Sequence, residues 1–229
     1  MKLILFLFFS VVFSLPLEIY AQQLIISVPN ADITHSKESI ITIENQTKTQ
    51  DLGADNFGFY TYGIGHDTEL ALSTYNASLP KTTDLVIAPG FKTAKQILKE
   101  TFPDREVKLT FGQLVPISLQ GQGVGSWSYG HLSGRIPKLD TRLTIGSNFG
   151  TKQLFGRNQV SVLAGIEHPI TKKLTFVADW FSGTHNFASL AAGFQYNFNP
   201  RTAIVLAYKL PNNSRSQTPA VIIEFVKHF

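Results

Sequence analysis

The last eleven residues of this 229-residue chain, Pro219 to Phe229 (PAVIIEFVKHF), restrict its fold more than any other stretch. Val221, Ile223, Phe225 and Phe229 share one parity, with Lys227 as the exception. Ala220, Ile222, Glu224, Val226 and His228 share the other. A period of two puts one oily and one mixed face on a β-strand. Such a strand carries backbone donors and acceptors along both edges, so the rest of the chain has to supply its neighbours.

Upstream, turn-forming clusters recur every 10 to 18 residues or so, with alternating stretches between them. Expected strands cover 37–46, 56–65, 68–77, 84–96, 106–118, 124–135, 140–149, 159–169, 174–182, 186–198, 202–210 and 219–229. In LTFVADWFS, Leu174, Phe176, Ala178 and Trp180 share one face and Thr175, Val177, Asp179 and Phe181 the other. In QVSVLAGIEH, Val160, Val162, Ala164 and Ile166 oppose Gln159, Ser161, Gly165 and Glu167. The polar face carries Gly, Asn and Ser more than charge, which is unlike the solvated face of a soluble sandwich. A carboxylate turned toward hydrocarbon costs several kcal/mol, so Asp179 is expected to point inward and the apolar faces outward. Hydrocarbon offers no hydrogen-bond partner, so the sheet has to close, first strand against last. The expectation is all-β: a closed antiparallel transmembrane β-barrel of about twelve strands, with ten as the alternative.

Composition fits that architecture. Charged residues make up 16% of the chain, below the roughly 25% of soluble domains, and aromatics 12%, with 18 Phe. There is no cysteine, which excludes disulfides, thiolate metal sites and a lipoprotein anchor. The net charge of +4 is spread along the chain without a basic stripe, so no nucleic-acid partner is expected. Residues 1–21 read as a signal peptide: Lys2, the apolar stretch Leu3 to Leu15, and a cleavage point after Tyr20-Ala21. That stretch of roughly 13 residues is too short for a helix that needs about 20 to span. Residues 22–36 are expected to form an extended lead-in, and 37–229 the barrel. No separate plug domain and no nucleotide motif is legible.

A terminal strand that ends on Phe229, in a chain that begins with an export signal, resembles the closing strand of bacterial outer-membrane β-barrels. The stretch Thr171 to Asn212 resembles a group of uncharacterised, porin-like barrels that share an Asp-Trp-x-Ser-Gly strand end, here Asp179, Trp180, Ser182 and Gly183. A Tyr-x-x-Pro-Asn ending follows at Tyr208, Pro211 and Asn212, and Ser133 to Thr151 is similar to that group as well. The resemblance implies location in the outer membrane, contact with its lipids, and delivery by the barrel-insertion machinery through Phe229. It supplies no ligand, and the oligomeric state stays open.

The inward parity nominates Asp179, Glu167, Arg142, Lys209, Lys108 and Glu224 as lumen or pore residues that would set a mild charge preference. Trp127, Tyr129, Trp180, Tyr196, Tyr208 and Phe229 read as membrane-interface aromatics. Sugar stacking is the sharper alternative for them. His131-x-Ser133 is similar to the outward-facing His-x-Ser pair of lipid A-deacylating barrels, but no Glu follows where such a site needs one. No HExxH or paired-His spacing occurs, so no metal, cofactor or catalytic residue is expected. Gly121 to Gly125 reads as a bend in preference to a phosphate cradle. The expected function is a narrow porin-like channel or structural barrel with passive solute passage. A lipid-modifying hydrolase and a surface-loop adhesin barrel are the alternatives.

Overall fold

The computed structural model describes residues 23–50, 53–76, 85–185, 187–214 and 217–229, so the expected signal peptide lies outside the described residues. The strands are β1 (Ser39–Lys48), β2 (Ala54–Gly65), β3 (Thr68–Tyr75), β4 (Val86–Gln96), β5 (Lys108–Leu114), β6 (Ile117–Ser118), β7 (Trp127–Ile136), β8 (Thr141–Gly150), β9 (Val160–Pro169), β10 (Leu174–Phe181), β11 (Ser189–Asn199), β12 (Thr202–Pro211) and β13 (Ala220–His228). All but the two-residue β6 are long enough to form barrel staves. Each stave pairs antiparallel with the next along the chain, β5 with β7 included, and β1 pairs with β13, from Ile40↔His228 to Lys48↔Ala220. The result is the closed barrel of twelve staves that the alternation predicts.

One expected strand, 106–118, breaks in two. Pro116 has no amide to donate, so the ladder of β5 with β4 stops at Leu114. Past the break β6 continues along β4 in the same register, with Ile87↔Ile117 and Val86↔Ser118 following Gly90↔Leu114.

Alternation decides which atoms meet which solvent. On β13, Ala220, Ile222, Glu224, Val226 and His228 are buried in the lumen, while Ile223 and Phe225 are exposed on the outside. Ile43, Leu109, Ile145, Val160 and Leu206 are likewise more than half exposed. A belt of aliphatic side chains around a ladder with no free edge suits acyl chains and not water. Among the described residues no helix is long and apolar enough to cross a membrane.

The connections differ between the two rims. At the rim where Ser39 and Phe229 meet, β2 and β3 are joined by His66-Asp67 alone. Both residues are left-handed (φ 54° and 55°), as a two-residue hairpin with a primed turn requires. The longest link at this rim, between β4 and β5, contains a 3-10 turn at Pro103–Arg105. At the far rim the link between β8 and β9 carries a single helical turn, Lys152–Phe155.

Candidate functional site

The lumen is filled by residues 23–37, which fold up into it from the terminus-bearing rim. The segment starts as an arm: Lys37 N donates to Gly63 O (2.9 Å), and Ser36 bridges Gly63 in parallel. A Cβ at Gly63 would overlap the carbonyls of Thr34 and His35, so glycine there lets the arm lie on the wall. Deeper in, the Thr34 amide donates to Glu69 Oε2 (2.7 Å), and its hydroxyl reaches Glu69 (2.8 Å) and Thr61 (2.8 Å). Asp32 pairs with Lys108 (3.1 Å) and Arg142 (2.5 Å). Burial pushes the Asp32 carboxyl up, but Arg142 and Lys108 outweigh it and hold the group well below the usual carboxylate range.

The segment then reverses. Asn30 N donates to Gln23 O (3.2 Å) and Ile25 N to Val28 O (2.8 Å). The tight turn leaves the amides of Ile26, Ser27 and Val28 pointing one way. All three donate to Asp179 Oδ2, at 2.9, 2.5 and 2.7 Å. A run of successive amides is a ready anion cradle, and here the anion is a side chain of the barrel wall. The lead-in is therefore an extended arm only from about Asn30 on, and a lumenal turn before it.

The other face of the turn is greasy. Ile25, Ile26 and Val28 are at most 1% exposed and pack with Leu163, Val177, Phe181, Val205 and Ile222 of β9, β10, β12 and β13. Gly165 is needed on that wall because a Cβ would collide with Ile25 Cδ1. Burying three aliphatic side chains is worth about 1.5–3 kcal/mol each, enough to keep the segment seated. The segment is thus held in two ways: by hydrogen bonds and ion pairs to β3, β4, β5, β8 and, through Asp179, β10, and by an apolar cluster with β9 to β13. No plug domain was legible in the sequence, yet fifteen or so residues with no domain of their own sit in the lumen like a stopper.

All six charged residues nominated for the lumen face it. Asp179, Arg142 and Lys108 are bound to the stopper, as described above. Glu167 lies 3.8 Å from Arg142. Lys209 donates to Gln46 Oε1 (3.0 Å), and Gln46 in turn donates to Glu44. Glu224 lies directly across the ladder from Glu44. The aromatic set divides. Trp180, Tyr196, Tyr208 and Phe229 are exposed on the outer surface. Trp127 and Tyr129 are not interface residues: they point into the lumen, where Trp127 packs on Tyr129, Phe181 and Phe187 with ring centroids 5.3 to 6.1 Å apart. The reason is parity. They share a face with His131 and Ser133, both buried, while Leu132 is exposed outside. The same parity turns His131-x-Ser133 away from the lipid, and Ser133 Oγ bonds Thr144 Oγ1 (3.0 Å).

Glu69 and Lys92 form a buried pair (3.2 Å) that sequence reasoning did not single out, and Lys92 also binds Gln23. Its inward parity was readable; the partner in the stopper was not.

Above the turn, toward the far rim, lies a vestibule of about 620 Å³. Gln23, Leu24, Ile26, Ser27 and Pro29 form its floor, and its walls include Phe57, Phe59, Tyr75, Trp127, Phe181 and Phe187. At the far rim Phe155 stacks on His185 (4.1 Å), and Phe187, which lines the vestibule, stacks on Trp127.

No family model and no curated protein matches this chain. Solved structures do. The KdgM porin, solved in complex with disordered oligogalacturonate, superposes with a TM-score of 0.59 at 8% identity, over 84% of this chain and 99% of that one. An outer-membrane channel from Pseudomonas putida F1 gives 0.51 at 11% identity, over 87% and 98%. The outer-membrane protein Omp33 of Acinetobacter baumannii gives 0.50 at 9% identity, over 86% and 100%. The chain has the outer-membrane β-barrel fold. The identity is too low to carry any ligand across.

Proposed function

We propose that this barrel sits in the bacterial outer membrane as a narrow porin-like channel for passive solute passage, held closed at rest by residues 23–37. The short turns would face the periplasm and the vestibule the exterior, as in barrels of this type. The observation that carries the reading is the grip of Ile26, Ser27 and Val28 on Asp179 beside a packed apolar face. A wall residue and a short peptide hold each other across what is otherwise a pore. Phe229, exposed at the end of the closing strand, is proposed as the mark read by the barrel-insertion machinery.

Planar-bilayer recording tests the channel. The full mature chain is expected to show rare, brief openings, and a variant lacking residues 23–36 steady ohmic steps. Should the deletion not fold, Ile25→Ala with Asp179→Ala loosens the same segment. A correctly folded, loosened barrel that passes no current would leave a structural role and end the channel reading.

A further inference from the structure

We infer that the vestibule is a binding site for a small, uncharged, mainly apolar molecule, aromatic or of similar bulk. This goes beyond the channel reading, because occupancy does not require that anything pass the stopper.

Size comes first. A cavity of about 620 Å³ falls within the range of small-molecule sites, roughly 300–1,000 Å³. The chemistry of the lining comes next. Phe57 and Phe59 meet Tyr75 edge-on, with centroids 5.9 and 6.0 Å apart, so the rings are braced. Trp127, flanked by Phe181 and Phe187, forms a second aromatic group, and the floor is the stopper itself, Leu24, Ile26 and Pro29 beside Gln23 and Ser27. These rings lie inside the barrel, out of reach of lipid, where no membrane requirement explains them. The rings pack within each group and still border open space.

Charge argues for a neutral guest. Lys48 is paired with Asp55 (3.2 Å). Lys209 is held by Gln46, which also binds Glu44. An anion entering would meet Glu44 behind Lys209, and a cation would meet Lys48 and Lys209. Neither sign gains, while an uncharged guest gains contact with the rings.

The chain has two tryptophans, Trp127 in the vestibule wall and Trp180 on the outer surface. In a Trp180→Phe background, Trp127 alone reports. Titration of that protein in detergent with 2-naphthol is expected to quench its emission saturably. Phe57→Gln should raise the half-saturation concentration about tenfold, as expected for a lost aromatic contact. Leu154→Gln, in the rim loop that lines the cavity, should act in the same direction and serves if Phe57→Gln does not fold. Naphthoate and naphthylmethylammonium, with the same rings and opposite charges, should both bind more weakly. Folding is checked by the heat-dependent shift of the barrel on gels. Quenching that rises without saturation, or that is unchanged in both variants, overturns the site. Displacement of 2-naphthol by maltose overturns its apolar character. None of these readouts depends on conductance, so this site and the channel can fail separately.

Discussion

At Asp179 one carboxylate oxygen accepts three backbone amides, and the oxygen belongs to the barrel while the amides belong to the segment inside it. Hydrogen bonds to a charged group are worth about 1.5–3 kcal/mol. Asp179→Asn keeps the shape but removes the charge. We expect the amides of residues 26–28 to exchange with deuterium about tenfold faster or more in that variant, with the strand amides of β10 unchanged. Equal exchange would mean that the apolar contacts of Ile25, Ile26 and Val28 alone seat the turn. Asp32 is the second such residue, and its effect depends on pH. Its folded pKa lies below the usual range, so its contribution is fully present above the unfolded value of about 3.9 and is lost as pH falls through the folded value. The stability gap between wild type and Asp32→Asn in urea should therefore stay constant from neutral pH to about 4 and close below it. A gap that closes between pH 7 and 5 would contradict the pairing with Lys108 and Arg142. Comparing the two proteins at each pH cancels the titration of the other lumenal carboxylates to first order.

At the scale of the element, the β2–β3 hairpin turns on two non-glycine residues in left-handed backbone. The preferred second residue of such a turn is Gly. Thr68, Thr93 and Ala94 donate to the carbonyls of His66 and Asp67, and those bonds do not need the Asp67 side chain. Asp67→Gly is expected to stabilise the barrel by about 0.5–1 kcal/mol, seen as a higher urea midpoint with an unchanged slope. A lower midpoint would show that the aspartate side chain has a role the backbone geometry does not reveal. The break between β5 and β6 has the opposite character. Pro116 interrupts the ladder with β4, which resumes in the same register at Ile117–Ser118, and the turn that follows brings Val124 and Gly125 to the vestibule. Proline is visible in any sequence, and here it interrupts the stave without changing its partner or register.

At the scale of the molecule, the barrel is a membrane protein with a folded interior. Its outer belt meets lipid, its apolar lumenal wall meets the stopper, and between them the ladder has no edge. The strands, their order, their inward and outward faces and the closing pair were all readable from period-two alternation. That is because backbone pairing and hydrocarbon each impose one rule on every stave. The rule failed at Trp127 and Tyr129 only when residue type was set above parity: aromatic character suggested the interface, and the shared face with His131 and Ser133 put them inside. What the sequence could not disclose is where residues 23–37 lie. A short stretch such as LIISVPNADITHS has no period to follow, and its amides, its aspartate and its three aliphatic side chains could satisfy many environments equally well. Only in three dimensions do Asp179, Gly165, Glu69, Lys108 and Arg142, drawn from strands far apart in the chain, converge on one set of partners. Alternation is a local property repeated along the chain, so the sequence determines the wall; the fit of the stopper is a property of contacts between distant residues, so the tertiary structure alone decides it.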